Sequence, residues 1–201
     1  MMRLPALTLQ QPWATALVHP AIPKTIETRG RRIPAKYLNV DIAIIAGKAV
    51  PAEAVPLSIG GWTVAWPSRR PAGGDWPVVH GPDGATIVLP LGAIVGTVRF
   101  KDCCPIAHPD GGWGWSDHEA TTLYVQGGSA DDDDDILVAS GPGFEHDEFT
   151  PNRPWGDYTP GRWGWVTDPA HTRLLAEPIP ARGALTWPIV EIPSDAKWAP
   201  S

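Results

Sequence analysis

The chain has 201 residues, 43% of them hydrophobic, and a formal net charge of −6. That is enough for one domain with a sizeable core. It contains no run of roughly eighteen apolar residues of the kind a membrane-spanning helix needs. Its two cysteines, Cys103 and Cys104, are neighbours, and a disulfide between them would be strained.

In chain order, "PALTL" (5–9) alternates as a strand does, and Pro12 suits the first turn of a short helix over "WATALVH" (13–19), which Pro20 and Pro23 end. "TIETR" (25–29) alternates again. "VDIAIIAG" (40–47) is a β-branched run fit for a buried strand. A short helix is expected within 48–60, limited by Pro51 and Pro56, and loop over the Gly-, Pro- and Trp-rich stretch 60–90. "GAIVGTVRF" (92–100) is the strongest strand, and "TTLYV" (121–125) is a weaker one. "GRWGWVT" (161–167) and "WPIVEI" (187–192) read as the last two. The 24 prolines and 21 glycines favour such short strands joined by turns. Of the adjacent thiols, alternation along a strand puts one inside and one outside. His108 and His118 have no metal-ligand spacing, and no metal or other cofactor is expected.

Charge is unevenly placed. Residues 127–150 carry eight acids, including the run Asp131 to Asp135, and no lysine or arginine. Packed together these aspartates would repel, so 127–150 is expected as an acidic, flexible insertion in a single domain over 1–201. Without them the balance is 16 basic against 22 − 8 = 14 acidic residues. The first fifty residues hold seven basic and two acidic side chains, a surplus of 7 − 2 = 5. A basic surface of this kind suits nucleic acid, which the net charge alone argues against.

"LTLQQPWATALV", "KTIETRG", "DIAIIAGK", "GAIVGTVRFKDC", "GRWGWVTD" and "PIPARGALTWPI" follow one another in the order seen in ASCH-domain proteins, relatives of the PUA domain. The chain resembles that family over about two thirds of its length. The resemblance implies a mixed α/β, mainly β, PUA-like fold, a small β-barrel flanked by short helices and carrying long loop insertions. It also implies a cleft beside the first helix walled by a G-x-K-x-x-E-x-R signature, whose charged positions are Lys24, Glu27 and Arg29. Ile22 stands at the glycine of that signature, Arg31 where many members carry tryptophan, and Ile45 where many carry histidine.

By residue chemistry, Lys24 offers three donors, Arg29 a planar fork, and Glu27 an acceptor for an exocyclic amino group. Trp13 is a candidate stacking platform or a core residue, and Gln10 and Gln11 are candidate base-edge contacts. Trp163 and Trp165 share a strand face and suit the core. Read without the family, Glu27 and Arg29 are an ordinary surface ion pair, and Lys24, three residues from Glu27 in a strand, points away from it.

The expected ligand-binding set is therefore Gln11, Trp13, Lys24, Glu27, Arg29 and Arg31. The expected partner is RNA, a single-stranded or flipped-base nucleic acid, or a modified nucleoside. An amidohydrolase acting on N4-acylated cytidine is the alternative, with Lys24 and Glu27 catalytic; a ribonuclease is a weaker one. A lysine nucleophile must shed its proton, which Glu27 opposes. The N-terminal "MMRLPALTLQQPW" has too short an apolar stretch for a secretory signal. A cytoplasmic monomer without membrane contact is expected.

Overall fold

The computed structural model describes residues 1–22, 24–49, 57–59, 61–66, 76–107, 122–126, 136–141, 144–148 and 155–200. The fold is mainly β. In chain order come β1 (Met2–Leu9), α1 (Trp13–Ala16), β2 (Ile26–Arg29), β3 (Asp41–Ala46), β4 (Leu57–Ile59), β5 (Trp62–Ala65) and β6 (Val78–His80). They are followed by β7 (Thr86–Val88), β8 (Ala93–Ala107), β9 (Thr122–Gln126), β10 (Ile136–Gly141), β11 (Phe144–Glu148), β12 (Trp163–Thr167), β13 (Arg173–Pro180) and β14 (Ile189–Ile192). No helix among the described residues is long and apolar enough to cross a membrane.

The contacts group into two compact units. The first comprises Met1–Ile22, Asp41–Arg99 and Pro169–Ser201; the second comprises Pro23–Val40 and Phe100–Asp168. In the first, β1 pairs parallel with β3, Ala6 opposite Ala43, and antiparallel with β14, Leu4 opposite Val190. The N-terminal half of β8 lies between β3 and β13, so that Gly96 faces Ile44 on one side and Leu174 on the other. Leu4, Ala6, Ala43, Ile45, Ile94, Leu175 and Ile192 form the core beneath this sheet. Arg99 Nη2 lies 2.8 Å from Asp41 Oδ1 across the β3–β8 pair.

The same unit holds a four-stranded antiparallel sheet, β4-β5-β6-β7, where the sequence reading has a short helix and loop. These strands have three or four residues each, too few for alternation to register; pairing with neighbours makes them strands. β13 has no counterpart in the sequence reading either. Pro178 and Pro180 argue against a strand, yet the register shift between Leu174 and Ile179 lets the chain rejoin β8 after a break. α1 is four residues long, shorter than the expected helix over 13–19, although the His19 amide still donates to the Thr15 carbonyl.

In the second unit, β12 lies between β2 and the C-terminal half of β8, antiparallel to both. β10 pairs with β9 and β11, so strand structure extends into the 127–150 stretch read as an insertion. Residues 127–135, with the five aspartates, lie outside the described residues, as do His108 and His118. Both thiols are buried, Cys103 at 6% exposure and Cys104 at 0%, because this part of β8 is covered on both faces. The one-in, one-out expectation fails for that reason. The described pairings close into a ring in neither unit.

Candidate functional site

The site begins with the register of three strands. Antiparallel partners share a face, and alternate residues along a strand share it too. Trp163 pairs with Arg29 and Trp165 with Glu27, while Trp165 also pairs with Cys103. Glu27, Arg29, Trp163 and Trp165 therefore project from one face of the β2–β12 pair. Ile26, Thr28 and Val166 take the other and are buried.

Lys24 precedes β2, so strand alternation does not set its direction. This is why it meets Glu27 rather than pointing away from it. Its side chain is 1% exposed, and Nζ donates to the carbonyls of Ile26 at 2.7 Å and Trp155 at 2.9 Å. The third direction is taken by Glu27 Oε2 at 3.2 Å. Burial pulls the Lys24 ammonium below the ordinary lysine range; the charge and hydrogen bond of Glu27 offset only part of that, and the Arg29 charge adds to the fall. An ammonium with three acceptors has spent its donors inside the protein.

Glu27 is buried too, and its other oxygen lies 3.0 Å from Arg29 Nε. That approach is ionic in distance but outside hydrogen-bonding angles, since Arg29 Nε has no hydrogen-bond partner. The guanidinium sits over the Trp165 ring, 5.8 Å from its centroid, and its side chain is 34% exposed. Its two terminal amino groups have no acceptor among the described residues. Trp165 is itself fixed: it meets Phe100 edge-on with centroids 5.5 Å apart, and its indole N–H donates to the Arg31 carbonyl at 3.1 Å.

Around this centre the surface alternates cations and rings. Arg32 lies 5.7 Å from the centroid of the half-exposed Trp163, and Lys36 lies 4.9 Å from that of Tyr37. Arg31 is exposed. Arg162 reaches Asp157 at 3.2 Å and the Thr28 carbonyl at 3.4 Å, and the Asp157 amide donates to the Thr28 hydroxyl. Tyr158 is buried, and desolvation, with Glu27 adding to it, holds its phenol well above the ordinary range.

No family model matches the chain, and no curated protein matches it. The reading of the site therefore rests on geometry.

The second unit brings Lys24, Glu27 and Arg29 together and places Arg31 in the adjoining turn. Gln11 and Trp13 belong to the first unit. Gln11 is fully buried: its amide nitrogen donates to the Thr15 hydroxyl at 2.7 Å and to the Pro90 carbonyl at 2.8 Å, and its oxygen accepts from the Thr15 amide. Trp13 is half-buried. Trp165 is the core residue expected, whereas Trp163 stands half-exposed beside Arg32. Sequence reasoning did not pick out Trp155, Tyr158 or Arg32 for the site. The Trp155 carbonyl is 131 residues from Lys24, a separation that leaves no local signal. The "RGRR" run, by contrast, does mark Arg32 as basic.

Proposed function

We propose that the second unit binds single-stranded nucleic acid, RNA above all, or a nucleotide, through Arg29, Arg31, Arg32 and Trp163, on a PUA-like barrel of the ASCH kind. The observation that carries this is the state of Arg29. Its guanidinium is levelled by Trp165 and anchored by Glu27, yet among the described residues neither terminal amino group has an acceptor. A planar fork held in that way suits a phosphate or the acceptor edge of a base. Trp163 supplies a half-exposed ring for stacking, and Arg31 and Arg32 supply charge for the backbone.

Lys24 has a different role in this reading from the one its sequence position suggests. It braces the Glu27 carboxylate from beneath, and Glu27 in turn lies against Arg29. An amidohydrolase would need Lys24 neutral with a lone pair free; burial favours the neutral form, but all three directions of Nζ end on acceptors of the protein itself, which leaves none facing a substrate. The geometry thus supports the binding function over the hydrolytic one.

The test is a fluorescence-anisotropy titration of the whole protein with a short single-stranded RNA and the matching DNA, at several salt concentrations. Trp163→Ala should weaken binding about fivefold or more, the loss of one stacked base. Arg32→Ala should lower the salt slope by about one phosphate contact. Arg29→Lys keeps the charge and loses the fork, and should weaken binding in the same range as Trp163→Ala. Affinity at low salt that is absent, or equal in all four proteins, overturns the proposal. Hydrolysis of acylated cytidine that Lys24→Arg abolishes would establish the alternative.

A further inference from the structure

A cavity of about 480 Å³ opens within the first unit, made by α1 and the turn after it, by the segment from Trp76 to Val95, and by β13. That volume lies in the range of small-molecule sites, roughly 300–1,000 Å³. Its walls are apolar, among them Ile87, Leu91, Val95 and Leu174, and among the described residues no charged side chain lines it. Trp76, 41% exposed, stands at its edge.

Of its three polar side chains, Thr86 is engaged by His80 Nδ1 at 3.0 Å, and the other two share one chemical sense. Thr15 and His19 lie one helical turn apart and both line the cavity. The Thr15 oxygen accepts from the Gln11 amide, which leaves its own proton to donate, and no described residue accepts it. Thr15 is 2% exposed, so its hydroxyl is shielded from bulk solvent. His19 Nδ1 accepts from the Ala21 amide at 3.3 Å, which puts the ring proton on Nε2 and makes that nitrogen a donor. Burial lowers the His19 pKa and keeps the ring neutral at neutral pH. Gln11 arranges this corner, because one amide group grips both Thr15 and the Pro90 carbonyl of the wall.

We propose that this cavity is a binding site for a small, neutral aromatic molecule carrying a carbonyl acceptor. Two donors without acceptors among the described residues select a carbonyl. The absence of lining charge selects against an ion, which would lose its hydration uncompensated. The Trp76 indole and the proline rings of the wall offer flat apolar faces, against which a planar ring buries the most area. This site is independent of the nucleic-acid reading of the second unit.

The test is a two-dimensional amide NMR titration of the whole protein with acetophenone, compared with ethylbenzene and benzoate. Acetophenone should bind saturably, shifting the Trp76 indole and Gly92 amide signals. Ethylbenzene, lacking the acceptor, should bind about fivefold to tenfold more weakly, and Thr15→Val should weaken acetophenone by a similar factor. Ala176→Trp, at an exposed position on the rim, should abolish binding with the spectrum of the fold retained. No saturable shift, binding that survives Ala176→Trp, or ethylbenzene or benzoate binding as well as acetophenone overturns the proposal.

Discussion

Lys24→Met should destabilise the protein by about 3–5 kcal/mol, the range for removing one partner of a buried ion pair. The side chain is 1% exposed, and its ammonium serves two backbone carbonyls and Glu27. Methionine fills the space of the stem and leaves all three acceptors without that donor. Glu27 suffers most, because among the described residues it retains only the ion pair with the more exposed Arg29. Adding Glu27→Gln removes the stranded charge, so the double variant should lose less than the two singles combined. Urea unfolding followed by tryptophan fluorescence measures both. A change under about 0.5 kcal/mol in Lys24→Met would mean that the cluster is a solvated edge, as a surface ion pair is. A large loss would separate the two charges' roles: Lys24 variants fail through folding, whereas Arg29→Lys changes binding in a folded protein.

Gly96→Ala should cost about 3 kcal/mol or more, at the upper end for overpacking. Gly96 lies in β8 between Ile44 of β3 and Leu174 of β13. A Cβ there would drive into the Arg173 carbonyl oxygen and come within 3.1 Å of Val18 Cβ. The carbonyl is backbone in a paired strand and cannot swing aside as a side chain can. Gly30→Ala is the matched comparison. Nothing lies within 4 Å of a Cβ at Gly30, and its stability should stay within about 0.5 kcal/mol. Equal urea midpoints for the two variants would show that β13 has room to move away from β8.

Much of the fold is legible along the chain. β1, β3 and β8 were marked by alternation or by β-branched runs, and β2, β12 and β14 by short alternating stretches around Ile26, Trp165 and Ile192. Each of these buries at least one face against neighbours, so the burial pattern is written in the residues themselves. β4 to β7 were not legible, because strands of three or four residues are too short to show a period. β13 was hidden by its prolines, which a break in the ladder accommodates.

At the site, the sequence by itself determined the charges and their order. Lys24, Glu27 and Arg29 come within six residues, Glu27 and Arg29 two apart on one strand face, with Arg31 and Arg32 next. Only the tertiary structure decided what each charge does. Lys24 is buried under the Trp155 carbonyl, brought from 131 residues away, and spends its donors there. Arg29 rests on Trp165, brought by the β2–β12 register, and its outer amino groups have no acceptor among the described residues. Local sequence fixes which groups are available, since that depends on residue type and spacing. Burial and the identity of a partner depend on which distant strands pair, and pairing is a property of the whole unit.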